Sequence, residues 1–248
     1  MPLTYILLTP LAAGLLCLAA RPRWIVELLN LAAFSALLFL GVNLAHSVLA
    51  APGGAVTEWR EFLRADALSA WMVLLIASVS LASTLYAVSY FRRDLSQAAL
   101  TERRWRQFYV LTPLFSAAMC LVVLANNLGV IWMAVEATAL SSVLLVALYN
   151  RQTSLEAAWK YVMLGGLGLV LALFGTILTY AAAIVQQGRE MPSFNWSSLL
   201  AIAPQLDHHW MKMAFIFVLV GYGTKAGLAL MPFGNSWRKD FDGDGFLR

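Results

Sequence analysis

Seven long apolar runs, separated by short polar links, constrain this chain more than any other feature. Most approach or exceed the roughly 20 residues that a helix needs to cross a bilayer, whereas a strand of a membrane barrel needs only about half of that. We therefore predict an all-α, polytopic membrane helical bundle of about seven transmembrane helices. The predicted spans are 4–20, 24–50, 67–91, 108–125, 128–149, 155–185 and 211–231.

Composition supports the same class. Only 12% of the residues are charged, about half the share of a soluble domain. The net charge of +4 comes from arginines in the links, so it indicates membrane topology rather than a nucleic-acid partner. Cys17 and Cys120 lie inside apolar runs without neighbouring His or Cys, which argues against a zinc site or a disulfide framework and favours small core residues.

The distribution of basic residues predicts the orientation. Alternate links carry eleven basic residues on one side and three on the other, so the positive-inside rule places the amino terminus outside and the carboxyl terminus in the cytoplasm. The cytoplasmic set is Arg21, Arg23, Arg92, Arg93, Arg103, Arg104, Arg106, Arg151, Arg238, Lys239 and Arg248, and the outer set is Arg60, Arg64 and Arg189.

The arginine-rich link 92–106 also divides the chain. Residues 1–91 form a predicted N-terminal three-helix membrane segment, and residues 92–231 a block of four helices whose crossings contain ionisable residues. Residues 232–248 form a polar tail. Its three aspartates copy the opening of a calcium loop, but the bidentate glutamate that completes such a loop is missing.

Glycines in the last two spans predict two different features. In the seventh span, three glycines surround Lys225 and Pro232 follows, so we expect a helix that is broken near Lys225. In the sixth span, the glycines are interpreted as small residues that let two helices approach closely. These sixth-span residues are Gly165, Gly166 and Gly168.

Three ionisable side chains lie inside the last three predicted crossings: Glu136, Lys160 and Lys225. A charge at the bilayer centre costs at least about 2.5 to 3.5 kcal/mol, so such residues are functional candidates by default. At 1.5 Å per residue, Glu136 lies roughly 12 Å and Lys225 roughly 21 Å below the outer ends of their helices. Their axial offset of about 9 Å permits a pair through a water or a helix bend.

This arrangement predicts proton transfer. Burial disfavours the charged form of a lysine and a nearby carboxylate favours it, so movement of Glu136 relative to Lys225 would switch proton release. Two alternatives stay open. Glu136 could be a static counter-ion of Lys225, and Lys160 could pair with Glu156 one turn earlier and extend to the interface.

The remaining polar residues have simpler interpretations. Asp66 precedes the third span and is predicted to cap that helix. His208 and His209 are interpreted as a polar helix start, because no third metal ligand is suitably spaced. The residues at helix ends that we interpret as interfacial are Glu27, Arg189 and Lys212.

Three motifs in combination carry a resemblance: VEAT at 135–138, EAAWKY at 156–161 and GYGTKAGLA at 221–229. Together with the surrounding sequence, they resemble the antiporter-like membrane subunits of complex I and its hydrogenase relatives, above all component F of hydrogenase-4 and similar formate hydrogenlyase-type complexes. The resemblance covers essentially residues 1–231. In that family the glutamate of the fifth helix and the lysine of the broken seventh helix transfer protons, which implies Glu136 and Lys225, with Lys160 as a further family lysine.

The resemblance also implies partners and a location. Electrons in the family flow through separate subunits, so we expect no cofactor in this chain and nickel-iron and iron-sulfur centres only in partner subunits. The expected partners are other membrane subunits, peripheral redox subunits and the lipid bilayer, in a bacterial plasma (inner) membrane. Any oxidoreductase activity would belong to the complex.

The sequence departs from the family after residue 231, where family members continue into an eighth helix with another lysine and a second inverted repeat. We therefore expect a truncated or frameshifted copy that contains an incomplete first repeat. Two alternatives follow: a subunit of a multi-chain sodium/proton antiporter, which shares these motifs, or a non-transporting remnant that packs against partner membrane subunits.

Overall fold

The structure, a computed structural model, describes residues 2–20, 22–96, 101–149, 152–187 and 194–227. Within these ranges the chain forms helices and one antiparallel hairpin, in which Ala55 lies opposite Asp66 and Glu58 opposite Leu63. The elements are α1 (Pro2–Ala19), α2 (Arg23–Ala50), β1 (Ala55–Glu58), β2 (Leu63–Asp66), α3 (Ala67–Ser96), α4 (Glu102–Leu124), α5 (Leu128–Val146), α6 (Gln152–Gln187), α7 (Trp196–Ile202) and α8 (His208–Lys225), with short 3₁₀ turns at Ala147–Tyr149 and Ala203–Gln205.

The all-α, polytopic membrane bundle is confirmed. Six helices of the described chain, α1 to α6, are long and apolar enough to cross a membrane, and they occupy the first six predicted spans. Helix α8 lies where the seventh span was predicted but is not among these six, so the seventh crossing and the orientation of the termini stay predictions. Arg189, residues 228–231 and the tail 232–248 with its aspartates lie outside the described residues.

Polar side chains fix where several helices begin. The Asp66 carboxylate accepts a hydrogen bond from the Ser69 backbone N–H at 2.8 Å, which confirms the predicted cap of α3 and lowers the pKa of this carboxyl group. Asn127 accepts from the backbone at the start of α5, and Asp207 does the same at the start of α8. The start of α5 sets the depth of Glu136.

The chain divides into two compact units, and the first contains α1 to α5, α6 up to Val162 and α7. We call its two ends the hairpin end, where β1 and β2 lie, and the arginine-rich end. One apolar cluster fills the bundle towards the hairpin end and includes Leu3, Phe34, Leu44, Val73, Cys120 and Leu124. A second cluster lies towards the arginine-rich end and includes Cys17, Val26, Phe91, Trp105 and Tyr109. Both cysteines are fully buried, as predicted.

At the hairpin end, Glu58 holds the start of α1. Its carboxylate accepts hydrogen bonds from the backbone N–H groups of Leu3 and Thr4 and from the Thr4 hydroxyl, at 2.8 to 3.2 Å. Desolvation alone would raise the pKa of Glu58, but these hydrogen bonds together lower it. The hairpin is therefore attached to the first helix by an ionised side chain.

Asn126 joins three segments at the same end. Its amide nitrogen donates to the Glu61 carbonyl and to Ser197 Oγ, both at 2.8 Å, and its amide oxygen accepts from the Ser197 N–H at 3.2 Å. Its backbone accepts from Trp196 N and donates to the Phe62 carbonyl. The hairpin, the α4–α5 link and α7 are therefore connected through one buried residue.

At the arginine-rich end, Arg side chains join helix termini. Arg106 donates to the carbonyls of Cys17, Leu18 and Ala20, which lack helical donors because α1 ends there. Glu27 pairs with Arg92 at 2.6 Å and is only 6% exposed. The interpretation of Glu27 as an interfacial residue is therefore incomplete, because a buried carboxylate requires this partner.

The second unit contains α6 from Met163 onward and α8. The two helices approach so closely that a Cβ atom at Gly221 would lie 2.6 Å from Ala172 Cα, and one at Gly175 would lie 2.7 Å from Val218 Cγ2. Real Cβ atoms do not come this close to other heavy atoms, so these positions require glycine. Small residues thus let α6 and α8 pack closely, but Gly175 and Gly221 are not among the three glycines from which the sequence predicted this packing.

Candidate functional site

Helix α5 positions Glu136 well inside the membrane-spanning part of the first unit. The helix begins at Leu128, as predicted, so Glu136 lies eight residues, or about 12 Å, from its start. The side chain is half-buried. Among the described residues, no group forms a hydrogen bond or an ion pair with its carboxylate. A carboxylate in this position can bind a proton, a water or a cation.

Lys160 lies near the start of α6 and is exposed, with 46% of its side chain accessible. Its ammonium forms an ion pair with Glu156 at 2.6 Å, one turn earlier on the same helix. This is the pair required by the structural alternative, in which Lys160 is a surface residue. The neighbouring Tyr161 connects α6 to α5, because Ser142 Oγ lies 3.4 Å from the Tyr161 hydroxyl.

Lys225 is the last residue of α8 and is half-buried. A Cβ atom at Gly165 would lie 3.1 Å from Lys225 Nζ, so the ammonium group lies against bare backbone of α6. Gly227 follows with a φ of +74°, a left-handed conformation that suits glycine after a helix end. Helix α8 therefore ends at Lys225, and the break predicted there stays a prediction because residues 228–248 lie outside the described ranges.

The three predicted site residues fall into different units. Glu136 and Lys160 belong to the first unit and Lys225 to the second. The pairing of Glu136 with Lys225 therefore stays a prediction. Within the second unit, the structure shows instead that the sixth-span glycines have different roles: Gly165 faces Lys225, Gly168 faces Thr224, and a Cβ at Gly166 would meet nothing within 4 Å.

Sequence reasoning missed two groups of polar residues. Asn126 was not singled out, although paired asparagines between two apolar runs could have indicated a polar node. Most of a set of buried polar side chains in α2, α3 and α4 was also missed, and Glu27 alone among them was named, as an interfacial residue. Within the described ranges, no three His, Cys, Asp or Glu side chains converge as a metal site.

Comparisons with known proteins bear on the same helices. Residues 125–240, which include Glu136, Lys160 and Lys225, match the family described as NADH:quinone oxidoreductase/Mrp antiporter, transmembrane. The chain is 34% identical over 185 residues to a hydrogenase-4 component F homolog of Methylacidiphilum infernorum, which covers 75% of this chain and 38% of the relative. The chain is thus similar to the antiporter-like membrane proteins of complex I and hydrogenase-4.

Further relatives of this antiporter-like protein agree. It is 27% identical over 209 residues to subunit N of the NADH-quinone oxidoreductase of Helicobacter hepaticus, which covers 82% of this chain and 38% of the relative. The chain thus spans about two fifths of the length of these curated relatives.

Solved structures share the fold. A chain of respiratory complex I from Thermus thermophilus superimposes with a TM-score of 0.67 at 24% identity, over 94% of this chain and 45% of that chain. A chain of the membrane-bound sulfane sulfur reductase, an archaeal respiratory membrane complex, gives a TM-score of 0.68 at 17% identity, over 89% and 43%. The relatives and neighbours named here are parts of multi-subunit complexes.

Proposed function

We propose that this antiporter-like chain takes part in proton translocation as a membrane subunit of a hydrogenase-4-type or NADH:quinone oxidoreductase-type complex. The observation that carries the proposal is Glu136, a carboxylate about 12 Å along an apolar helix with no ion-pair partner among the described residues. Leaving a charge at this depth costs at least about 2.5 to 3.5 kcal/mol. Such a group is retained where it exchanges a proton.

Lys225 supplies the complementary group in this proposal. Its ammonium lies against the backbone at Gly165, where a larger residue would displace it. Approach of a carboxylate stabilises the ammonium form, and withdrawal of the carboxylate favours release of a proton into water. Lys160, paired with Glu156 near the start of α6, would pass protons between the membrane surface and this pair.

Partners and location complete the proposal. The chain would bind other membrane subunits and, through them, peripheral redox subunits that carry nickel-iron or iron-sulfur centres, in a bacterial inner membrane. Large apolar side chains that are exposed on α5, such as Met133, Leu140 and Leu144, provide a surface for lipid or for a neighbouring membrane subunit. In this arrangement the chain itself needs no cofactor.

A sodium/proton antiporter subunit is the second candidate, and the matched family description, which includes Mrp antiporters, favours it. Both functions would use the carboxylate of Glu136 and the amine of Lys225. They differ in the ion that Glu136 exchanges, because sodium would require additional oxygen ligands near this carboxylate.

Proton flux in membrane vesicles that contain the assembled complex tests the proposal. We expect Glu136→Gln and Lys225→Ala to reduce proton flux at least tenfold, while the chain still inserts and co-purifies with its complex. The matched controls are Glu61→Gln and Lys212→Ala, which alter exposed residues and should leave the flux unchanged.

Two outcomes would contradict the proposal. Unchanged proton flux in both site variants, with normal co-purification, would favour a non-transporting remnant. Flux that depends on sodium in the wild type, and loses this dependence in Glu136→Gln, would favour the antiporter subunit.

A further inference from the structure

Seven polar side chains lie inside the apolar bundle of α2, α3 and α4, away from Glu136, Lys160 and Lys225. They follow one another from the arginine-rich end towards the middle of the helices. We call them the buried polar column: Glu27, Asn30, Ser80, Thr84, Tyr109, Thr112 and Ser116. None is more than 9% exposed, although all lie in helices long and apolar enough to cross a membrane.

Contacts between helices define the levels of the column. Glu27 of α2 pairs with Arg92 of α3 at its open end, close enough to the Tyr109 phenol for both charges to act on it. Ser80 of α3 and Ser116 of α4 form a hydrogen bond at 2.9 Å at its inner end. Ser80 and Arg92 are twelve residues apart, so the column is about 18 Å long.

A proline explains why Asn30 lies between these levels. Pro113 has no N–H, so the Tyr109 carbonyl one turn earlier loses its helical donor. The Asn30 amide nitrogen donates to this carbonyl at 3.1 Å and to the Val26 carbonyl at 3.0 Å. These carbonyl acceptors fix the orientation of the amide, and its oxygen therefore faces away from them.

Four atoms of the column have no hydrogen-bond partner among the described protein atoms: Asn30 Oδ1, Thr84 Oγ1, Tyr109 OH and Thr112 Oγ1. Hydroxyl groups in helices commonly donate to the carbonyl four residues earlier, as Thr176 does to Ala172 at 2.8 Å. Thr84 and Thr112 do not. Buried polar atoms are otherwise almost always satisfied by protein or by ordered water, so four orphans in one place need a common explanation.

We propose that the buried polar column binds a chain of water molecules that runs from Glu27 to the Ser80–Ser116 pair. A buried water makes about three hydrogen bonds, and the column offers both acceptors and hydroxyl donors at successive levels. Beyond the serines the bundle is apolar: Val73, Ala77 and Cys120 are fully buried in the cluster towards the hairpin end. The water chain therefore enters from the arginine-rich end and stops inside the bundle.

The two cysteines are native probes of this proposal. Cys17 lies beside the column, where its sulfur accepts from the Asn30 amide nitrogen at 3.1 Å. Cys120 lies in the apolar cluster. Both thiols are 0% exposed, so bulk water reaches neither in the folded bundle. Exchange of a thiol proton for deuterium therefore reports internal water. This exchange can be measured from the infrared S–H band after vesicles that contain the full chain are transferred to D₂O.

We expect the Cys17 thiol to exchange at least tenfold faster than that of Cys120, with Cys17→Ala and Cys120→Ala assigning the two bands. Tyr109→Phe combined with Thr112→Val keeps the volume of the column but removes two hydroxyls, and should slow Cys17 exchange at least fivefold. Thr9→Val is the matched control on the helix of Cys17, because the Thr9 hydroxyl bonds only to its own helix, and should change nothing.

Cys120 reports in the same sample whether the bundle has stayed closed. If it exchanges as slowly in the column variant as in the wild type, the fold is intact and the Cys17 rate is interpretable. Equal exchange of the two thiols in the wild type would overturn the proposal. So would fast Cys17 exchange that the column variant leaves unchanged, because that result assigns the exchange to opening of the end of α1.

Discussion

The close approach of α6 and α8 gives a quantitative prediction for Gly221→Ala. The added Cβ would lie 2.6 Å from Ala172 Cα and 2.7 Å from Ala172 Cβ. Carbon atoms in contact are normally about 3.5 to 4.0 Å apart, so the helices must separate by about 1 Å. Overpacking of this kind costs about 1 to 3 kcal/mol, of which the better helix propensity of alanine offsets up to about 1 kcal/mol.

Gly166→Ala is the matched control. It adds the same methyl group to α6, at a position where a Cβ atom would meet no other atom within 4 Å. Only the propensity gain applies there, so this variant should be up to about 1 kcal/mol more stable than the wild type. The propensity gain is common to both variants, so we expect them to differ by the overpacking cost alone, about 1 to 3 kcal/mol in the free energy of unfolding.

Equilibrium unfolding of the full chain in mixed micelles, followed by tryptophan fluorescence, measures this difference. Because Gly221 lies one turn before Lys225, the variant should also reduce proton flux if that lysine needs its place against Gly165. A Gly221→Ala protein as stable as Gly166→Ala would refute the close packing of α6 and α8.

Two further predictions concern the hairpin end. Asn126→Ala removes three side-chain hydrogen bonds, which together contribute about 3 kcal/mol. Hydrogen exchange of the Trp196 backbone amide should therefore become about 100-fold faster. The control Asn43→Ala removes one hydrogen bond within an exposed helix turn and should leave this exchange unchanged. The pKa of Glu58 is lower in the folded chain than in the unfolded chain. Its contribution to stability is therefore present at pH values above the pKa of the unfolded state, and it is lost as the pH falls through the pKa of the folded state. Glu58→Gln should therefore melt at a lower temperature at neutral pH and show a weaker dependence on acidification, as measured by thermal unfolding across the acidic range.

The membrane helices were predictable because their length and polarity are set by the bilayer and not by distant residues. The predicted second and third spans begin within one residue of α2 and α3, and α5 begins at the predicted Leu128. The hairpin and α7 were not predicted, since strands of four residues and a helix of seven leave too short a pattern.

Polar contacts between residues far apart in the sequence were not predicted either. Asn126 bonds to residues that are 65 and 71 positions away, so no local spacing reveals it. The buried polar column was missed for the same reason, because its contacts between helices join residues that are 36 to 79 positions apart in the sequence. Pro113 was the available signal: a proline inside an apolar helix leaves a carbonyl that some other side chain must satisfy.

Glu27 and Glu136 differ in the partners that the fold gives them, and this difference supports the proposed role of Glu136. Glu27 is almost fully buried, but Arg92 pairs with it at 2.6 Å, and breaking such a pair leaves an uncompensated charge. The fold therefore supplies this acid with a fixed partner. Glu136 has no such partner among the described residues, so its charge must be balanced by a bound proton, by water or by a group that approaches it. In the proposed function, Glu136 is therefore the acid that would bind and release a proton, whereas Glu27 would stay paired with Arg92.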